Sequence, residues 1–314
     1  MKLSIIVTCY NRADYIERCI SSILPQLTPE VELIVINDGS TDQSLDILNE
    51  LNKDNRFRIE TTPNRGISAT RNHGISVSLG EYIWFIDGDD FITGNAVKKI
   101  LDTIQKQPDV IAFNHTRKFD QNYIDKTVFT DNLTDFAGLF KTEALFVWDK
   151  VYRKNLFTDI SFNENLTILE DTVLNMMVSL LVEKIATISD ILYVYECSNQ
   201  SSISRNRNIR HLVRLSHDSF TAHEILNNHL RFITNPELKY IWEERLNTGY
   251  IGHIFSLVRF YNCHSVKRAL NIYHHWGVYP FRYTGSTKMK LFAFIVNHRH
   301  FWTFHRIINR FIPR

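Results

Sequence analysis

The first hundred residues alternate short apolar segments with helical ones, and this alternation constrains the fold more than any other feature. Apolar segments of this length are typical of strands buried on both faces, as in a mostly parallel sheet covered by helices. The sequence therefore predicts an α/β fold. The predicted elements are strands at Ser4–Thr8, Glu32–Asn37, Phe57–Thr61 and Glu81–Ile86, and helices at Asp14–Leu24, Asp42–Leu51 and Ile67–Leu79.

Polar residues follow three of these strands directly. They form the clusters Thr8–Asn11, Asp38–Ser40 and Asp87–Asp90. Ligands of open parallel sheets gather at the carboxyl ends of the strands, and these ends meet at one edge. We therefore expect the three clusters to form a single site.

The segment Asp87-Gly88-Asp89-Asp90 places three carboxylates within four residues. Carboxylates this close repel one another unless a cation sits among them. Oxygen ligands suit Mg²⁺ or Mn²⁺, which bind through one or two carboxylates together with substrate phosphates. A solvated acidic turn is the alternative, but the position at the end of a buried strand favours a Mn²⁺ or Mg²⁺ site.

Two other side chains near this edge are candidates for ligand binding. Arg71 lies on the predicted helix Ile67–Leu79 and either neutralises a phosphate or fixes the Asp87–Asp90 loop by bidentate hydrogen bonds. Asp38 ends a strand, where its carboxylate could accept a hydrogen bond from a nucleotide base. Ser40 is expected to cap the helix that follows.

Residues 101–205 are mixed in pattern. They contain an aromatic and charged stretch at Trp148–Lys154, a helix predicted at Thr172–Val182 behind Glu170 and Asp171, and a strand predicted at Ile191–Tyr195. An acidic pair at the start of a helix is favoured by the helix dipole alone, which is the structural alternative to a catalytic role.

Taken together, these segments resemble the family-2 glycosyltransferases with the GT-A fold, in particular the bacterial capsular and exopolysaccharide enzymes. The match covers roughly residues 3–205 in order. It implies a Rossmann-like α/β fold, with a mostly parallel sheet and helices on both faces, and an α-helical C-terminal extension. The resemblance rests on Ser4–Asn11, Asn37–Asp42, Asn64–Gly74, Asp87–Asp90, Trp148–Tyr152 and Glu170–Asp171.

The resemblance implies a hexosyltransferase-type enzyme that moves a sugar from a nucleotide-sugar, usually a UDP-sugar, with inversion at the anomeric centre. The acceptor would be a hydroxyl of a saccharide or of a lipid-linked saccharide. The implied roles are a nucleotide pocket of Thr8, Tyr10, Asp38, Arg71 and Asp87, a metal ligand in Asp89, a catalytic base in Asp171, and a sugar or acceptor site at Trp148 and Glu170.

Three positions depart from the family pattern. Cys9 stands where Pro is common, and Asn37 stands where a second Asp is common. Glu196 follows Tyr195 where Arg is frequent, so a phosphate contact is not expected from that strand. Arg205 could supply the charge instead.

Charge is distributed unevenly along the chain. All 34 acidic residues precede Arg245, whereas eleven of the 36 basic residues follow Glu244. The predicted organisation is a nucleotide-sugar-binding half at 1–100, an acceptor-binding half at 101–205 and a helical basic region at 206–314. The basic region predicts an anionic partner.

The last residues combine basic and apolar faces. From His298 on, Arg299, Arg306 and Arg310 share one helical face, and aromatic and aliphatic residues occupy the other. This design is typical of a helix in a membrane interface, and a helix packed on the core is the alternative. With no apolar run near about 18 residues and cysteines typical of reduced thiols, we expect a cytoplasmic protein, peripheral at the inner face of the membrane.

Two other functions compete with this interpretation. A sugar-phosphate nucleotidyltransferase would need a Gly-rich loop after the first strand, and Thr8–Arg12 contains no glycine. An inactive membrane scaffold would not need Asp87, Asp89 and Asp171. A nucleic-acid partner is not expected, because no recognition motif accompanies the basic residues.

Overall fold

The computed structural model describes residues 1–131, 133–134, 145–198, 209–260, 263–282 and 286–298. These belong to two compact units, Met1–Asn206 and Arg207–Arg314. Arg205 and the amphipathic segment beyond His298 lie outside the described residues. The division of the first unit into halves at residue 100 stays a prediction.

A ten-stranded sheet organises the first unit. Its order is β3-β2-β1-β4-β9-β6-β10-β5, with β7 paired to β6 and β8 paired to β10. The strands are β1 Leu3–Cys9, β2 Val31–Asn37, β3 Arg58–Thr61, β4 Tyr82–Asp87, β5 Phe91–Ile92, β6 Val110–Phe119, β7 Asn122–Lys126, β8 Leu133–Thr134, β9 Lys150–Arg153 and β10 Ile185–Glu196.

Helices cover both faces of this sheet, so the predicted fold class is confirmed. Ile5 and Val7 of β1 belong to the same core as the helix at Ile16–Ile23, whereas Ile6 faces the opposite helix. A methyl group on Gly74 of that helix would lie 2.5 Å from Ile6 Cγ2, so the helix backbone packs directly on the strand. The helices are α1 Ile16–Ile23, α2 Ser44–Leu51, α3 Ile67–Val77, α4 Ala96–Ile104 and α5 Glu170–Val178, with short 3-10 turns at Leu24–Gln26 and Lys154–Thr158.

Strand direction and register fix the position of the polar clusters. In the β1–β4 pair Thr8 lies beside Asp87, and in the β1–β2 pair Cys9 lies beside Asn37. β9 is antiparallel to both β4 and β6, so β6 runs in the same direction as β4. β10 is parallel to β6. The carboxyl ends of β1, β2, β4, β6 and β10 therefore meet at one edge.

The second unit is helical, as expected. Among the described residues no helix is long and apolar enough to cross a membrane. The buried hydrophobic side chains of this unit are mostly aliphatic, and its largest fully buried ones are Trp242, Tyr250 and Tyr273. The helices are α6 Ile209–Leu230, α7 Pro236–Phe260, α8 Cys263–His275 and α9 Thr287–Asn297.

A buried pair of histidines shares one tyrosine hydroxyl in this core. The Tyr273 hydroxyl lies 3.0 Å from His223 Nδ1 and 2.7 Å from His253 Nδ1. Because a hydroxyl carries one proton, it donates to one ring and accepts an N–H from the other, so the two Nδ1 atoms differ in protonation. Burial lowers the pKa of His223 to about 3 and that of His253 to about 4.

We predict that acid destabilises this unit through the two histidines. The pKa values of the two histidines in the folded state lie below the unfolded value of about 6.5. Above that pH they therefore do not lower the free energy of unfolding. As the pH falls from about 6.5 towards 4, the unfolded chain binds protons that the native state excludes. Each histidine then removes about 1.4 kcal/mol of unfolding free energy per pH unit. Urea denaturation between pH 7 and pH 4.5 measures this slope.

Replacing one histidine tests how much it contributes to the pH dependence of the free energy of unfolding. His253→Gln should make the stability less dependent on pH, even if it lowers stability at pH 7. The matched control is His275→Gln, since His275 is exposed. An unchanged slope in His253→Gln would contradict the assignment.

Candidate functional site

Arg71 connects three acidic side chains at the carboxyl edge of the sheet. Its Nη1 lies 3.0 Å from Glu170 Oε1 and 2.6 Å from Asp171 Oδ1, and its Nη2 lies 3.1 Å from Asp87 Oδ1. The Arg71 side chain is only 3% exposed. This acidic cluster around Arg71 joins the end of β4, helix α3 and the start of α5. Arg71 contacts the Asp87–Asp90 loop through one hydrogen bond to Asp87 rather than the predicted bidentate pair, and its other contacts go to Glu170 and Asp171.

The acidic cluster has more negative than positive charge. Burial, together with the neighbouring Asp171, raises the pKa of Glu170 to about 8. Burial also raises the pKa of Asp171. Burial opposes the charge of Arg71, but Asp171, Asp87 and Glu170 more than offset it and raise the pKa of the guanidinium. An excess of carboxylates at a half-open edge suits proton transfer and cation binding.

Thr8 holds the loop after β4 against the end of β1. Its hydroxyl donates to Asp87 Oδ1 at 3.2 Å, and its carbonyl accepts the N–H of Gly88 at 2.9 Å. A methyl group on Gly88 would lie 2.7 Å from that carbonyl, so the close approach requires glycine. Thr8 and Asp87, both predicted site residues, are therefore in direct contact.

The three carboxylates after β4 divide between the core and the edge. Asp90 is fully buried, where it accepts hydrogen bonds from the Tyr193 hydroxyl at 2.6 Å and from Glu196 N at 2.7 Å. Burial raises the pKa of Asp90 well above its usual range. Asp87 and Asp89 are partly exposed, and Asp89 Oδ2 lies 3.4 Å from Arg12 Nε. Asp89 and Asp87 add to the effect of burial on the Asp90 pKa, so the repulsion predicted for three carboxylates persists and favours the protonated form of Asp90.

Asp38 fixes the loop that leads into α3. Its two carboxylate oxygens accept the N–H groups of Arg65 at 2.8 Å and Gly66 at 2.9 Å, and the residue is buried. Tyr10, the other predicted pocket residue beyond β1, is 43% exposed. At the carboxyl edge of the sheet, Asp38 is therefore buried and Tyr10 is exposed to solvent.

The loops after β1 and β2 hold each other through side chains. Asn11 takes a left-handed backbone conformation at φ 52°, which Asn tolerates better than most residues. Its N–H donates to Ser40 Oγ at 3.0 Å, and its Oδ1 accepts the N–H of Thr41 at 2.8 Å. The expectation that Ser40 caps α2 is wrong. Asp42 provides that contact instead, because its Oδ1 accepts the N–H of Ser44 at 2.9 Å.

Trp148 lies inside an aromatic stack. It is 2% exposed and stacks at 4.5 Å on Tyr193, at 4.5 Å on Phe146 and at 5.3 Å on Tyr195, measured between ring centroids. Phe146 and Tyr195 are only partly buried. Trp148 therefore supports the rings that reach the surface, and its own contact with a sugar stays a prediction.

Sequence reasoning missed the cations that surround Glu196. Glu196 Oε2 lies 2.9 Å from both Arg18 Nη1 and Lys118 Nζ. Although burial opposes ionisation, hydrogen bonds from Lys118, Ser198 and Arg18 lower the pKa of Glu196 to about 2. The acid at this position therefore balances two basic residues, and no spacing in the sequence indicates the pairing.

The donor set at the edge suits a metal that is shared with a substrate. Across the described ranges no group of three or more His, Cys, Asp or Glu side chains could enclose a metal ion. Asp87 and Asp89 offer carboxylate oxygens at the surface of the edge. Mg²⁺ and Mn²⁺ take one or two such ligands and complete their shell with phosphate and water. The residues present therefore fit a cation of this kind.

Comparison with protein families agrees with this arrangement. Residues 4–163 match the family described as glycosyl transferase family 2, a range that contains the loops after β1, β2 and β4 and ends before Glu170 and Asp171. The chain belongs to glycosyl transferase family 2. This membership bears out the resemblance on which the site residues were predicted.

Two similar proteins come from bacteria. The chain is 31% identical over 223 residues to glycosyltransferase GlyA of Streptococcus pneumoniae, covering 65% of this chain and 32% of GlyA. It is 32% identical over 204 residues to a poly(ribitol-phosphate) beta-glucosyltransferase of Bacillus spizizenii, covering 62% and 32%. The chain spans between a third and two thirds of the length of the first curated relatives.

Solved structures share the fold. S. aureus TarS 1–349 in complex with UDP-GlcNAc superposes with a TM-score of 0.61 at 21% identity, over 96% of this chain and 92% of that one. Mannosyltransferase PcManGT from Pyrobaculum calidifontis, in complex with GDP-Man and Mn²⁺, gives 0.58 at 12% identity, over 97% and 83%. At these identities the likeness concerns the fold alone.

We predict that Arg71 is essential for stability. Arg71→Met would leave Asp87, Glu170 and Asp171 without their shared cation and should lower the free energy of unfolding by about 3–5 kcal/mol. Urea denaturation measures the difference.

Arg65→Met is the matched control. Arg65 pairs with Glu164 at 2.9 Å, but both side chains are about half exposed, so the change should cost less than about 1 kcal/mol. Equal stability of the Arg71 and Arg65 variants would show that the acidic cluster does not hold the fold together.

Proposed function

We propose that the protein is a metal-dependent, inverting glycosyltransferase that moves a sugar from a UDP-sugar to a hydroxyl of a saccharide or lipid-linked saccharide. The observation that carries the proposal is the acidic cluster around Arg71. In this cluster the Arg71 guanidinium contacts both Asp87, which is proposed to bind the donor, and Asp171, which is the proposed base.

The donor side is formed by the ends of β1, β2 and β4. Asp38 and Tyr10 are proposed to bind the nucleotide base, with Thr8 next to them. Asp38 Oδ2 accepts one backbone N–H and has a further lone pair, whereas Oδ1 also accepts the Thr62 hydroxyl at 3.5 Å. Uridine is supported by TarS, whose structure contains UDP-GlcNAc. The Asn37 departure leaves this pocket intact, since Asn37 Oδ1 accepts the N–H of Ser40.

Asp87 and Asp89 would hold Mn²⁺ or Mg²⁺ at this edge. The bound ion would screen the negative charge that develops on the diphosphate leaving group. Asp89, held near Arg12, is the proposed direct ligand, and Asp87 is proposed to lie against the ribose and phosphates. The PcManGT complex with Mn²⁺ supports a metal in this fold.

Asp171 is proposed to remove the proton of the acceptor hydroxyl. Arg71 and the N–H of Val147 orient its two oxygens, at 2.6 Å and 3.2 Å. The acceptor oxygen attacks the anomeric carbon while the bond between that carbon and the nucleotide diphosphate breaks. The proton of the acceptor hydroxyl passes to Asp171. A single displacement of this kind inverts the anomeric centre. Glu170, beside Asp171, is proposed to border the sugar or acceptor site together with Trp148.

Membership of the family disfavours the nucleotidyltransferase alternative. The described residues also contain the carboxylates that an inactive scaffold would not need. Direct measurement of sugar transfer distinguishes the two remaining hypotheses, an active enzyme and an inactive scaffold.

We predict that two Asp→Asn changes separate binding from chemistry. Asp89→Asn should weaken Mn²⁺-dependent UDP binding by at least about tenfold, since a metal ligand is lost. Asp171→Asn should bind UDP like the unchanged protein but lose at least about 100-fold in sugar transfer, since the base is gone. Calorimetry measures binding, and release of UDP from a panel of UDP-sugars with acceptor measures transfer.

Glu164→Gln serves as the control, because Glu164 is exposed and lies outside the acidic cluster. It should leave both measurements unchanged. Normal transfer by Asp171→Asn would refute the base assignment. UDP binding that is insensitive to removal of metal would refute the metal assignment.

We also propose that the basic C-terminal region binds an anionic membrane surface. Helix α9 exposes Leu291 and Phe294 to 60% and 68%, and Lys288 and Lys290 lie on it as well. Residues three or four apart share a helix face, so Lys288 neighbours Leu291 and Lys290 neighbours Phe294. An apolar strip bordered by lysines suits the interface of an anionic bilayer.

We predict binding to vesicles that contain phosphatidylglycerol and not to vesicles of phosphatidylcholine alone. The double change Leu291→Ser and Phe294→Ser should weaken co-sedimentation by at least about tenfold, because each buried apolar side chain contributes about 1.5–3 kcal/mol. Higher salt should also weaken it. Phe232→Ser is the control, because Phe232 is equally exposed but lies outside α9. Unchanged sedimentation of the double variant would contradict α9 as the membrane contact.

A further inference from the structure

Three consecutive residues of β6 have buried polar atoms without hydrogen-bond partners. They are His115 Nε2, Thr116 Oγ1 and Arg117 Nε, three of five such atoms found in the described part of the chain. Buried polar atoms are nearly always paired, so unpaired ones need a physical reason. A ligand-binding position is one such reason.

This part of β6 is connected to the proposed base Asp171 through the segment that contains Val147 and Trp148. The His115 ring meets Trp148 edge-on at 4.8 Å. Phe146 and Val147 directly precede Trp148 in the chain. The N–H of Val147 donates to Asp171. Residues 115 and 117 share a strand face, so Arg117 lies on the side of His115 and the aromatic stack.

Positive charge accumulates on this face. Burial, aided by Arg117, Lys150 and Lys126, lowers the pKa of His115 to about 4. Lys126 lies beside His115 in the β6–β7 pair. Lys150 is balanced by Asp149 at 2.6 Å.

Arg117 and Lys126 differ from their basic neighbour on β6. Lys118 is paired with Glu196. Within the described ranges Arg117 and Lys126 form no ion pair. A half-buried guanidinium with an unpaired Nε favours an anionic ligand, because Arg binds carboxylate and phosphate in a planar, bidentate way.

We propose that Arg117 and Lys126 bind an anionic group of the acceptor, a phosphodiester or a carboxylate carried along a glycan chain. Phe146 and Tyr195 provide the partly exposed aromatic surface for its sugar or polyol units. This inference rests on the proposed function, since it places the acceptor against Asp171. It identifies the acceptor as a negatively charged polymer rather than a neutral oligosaccharide.

The order of strands separates this position from the donor. The proposed base pocket lies at β1 and β2, the proposed metal ligands follow β4, and Arg117 lies on β6, beyond β9. A UDP-sugar bound at β1, β2 and β4 would occupy the part of the carboxyl edge on the β4 side of β9. Arg117 on β6 and Lys126 on the paired strand β7 therefore lie on the side of the edge away from the proposed donor, where we place the acceptor.

Binding of defined glycans to the full chain tests the proposal without donor or turnover. The probes are a ribitol-phosphate oligomer, a hyaluronan oligosaccharide and neutral maltoheptaose, measured by calorimetry at low and moderate salt. At least one anionic probe should bind tenfold or more tightly than maltoheptaose. The better of the two anionic probes distinguishes a phosphodiester from a carboxylate.

Variants assign the binding to these residues. Arg117→Gln should weaken the preferred anionic probe by about tenfold, as expected for loss of a charge-assisted hydrogen bond. Arg117→Lys should restore part of it, and Lys126→Gln should act in the same direction. Lys53→Gln, an exposed residue near α2, should have no effect.

UDP binding with Mn²⁺ is measured on the same variants and keeps the two proposals distinguishable. Normal UDP binding by Arg117→Gln shows an intact fold and donor side. Failure of UDP binding in the unchanged protein would refute the proposed function, whereas the glycan measurements would still report on Arg117. Equal binding of neutral and anionic probes, no glycan binding at all, or loss of UDP rather than glycan binding in Arg117→Gln would each overturn the inference.

Discussion

The contact of Arg71 with Asp87, Glu170 and Asp171 is the interaction on which the rest of the site depends. A guanidinium that is almost completely buried is stable only if its charge is balanced. Here the balance comes from the end of β4 and the start of α5, which are far apart in sequence. The same contact therefore closes the fold and positions the carboxylates proposed for donor binding and proton transfer. Because one cation faces three acids in a buried place, the pKa values of Glu170 and Asp171 are raised, and the proposed metal would relieve the repulsion that remains at the edge.

The aromatic stack extends this arrangement towards β6. The Tyr193 hydroxyl donates to Asp90 and accepts the N–H of Asp87, so the loop after β4 is attached to β10. The Tyr193 ring in turn stacks on Trp148. Displacement of the stack would therefore disturb the loop that carries the proposed metal ligands. This coupling explains why a buried tryptophan can matter for a surface site: it positions the carboxylates and the outer rings and need not contact the sugar itself.

Local and long-range features differ in how well they can be predicted from the sequence. The period of apolar residues identifies strands such as β2 and helices such as α1, because each pattern reflects burial of one continuous segment. Hydrogen bonds between distant segments leave no such pattern. The pairing of Arg71 with Asp171, the insertion of antiparallel β9 between β4 and β6, and the choice of Asp42 over Ser40 as the contact at α2 depend on tertiary packing. The clusters at the strand ends were predicted from the pattern, whereas the roles of Asp171, Glu170 and Trp148 came from family resemblance, since spacing alone does not indicate which carboxylates meet.

The sign of charge changes along the carboxyl edge of the sheet, and this sequence of charges bears on how two anionic substrates could react there. A pyrophosphate at β4 needs the proposed cation, because Asp87 and Asp89 would otherwise repel it. An anionic acceptor approaching Asp171 would meet the same repulsion from the acidic cluster. In the proposed arrangement, Arg117 and Lys126 would offset that repulsion, and the rings of His115, Trp148 and Phe146 connect β6 with the segment next to Val147. Opposite charges on the two sides of β9 would thus allow a carboxylate base and a negatively charged acceptor to share one edge, which neither set of charges would permit alone.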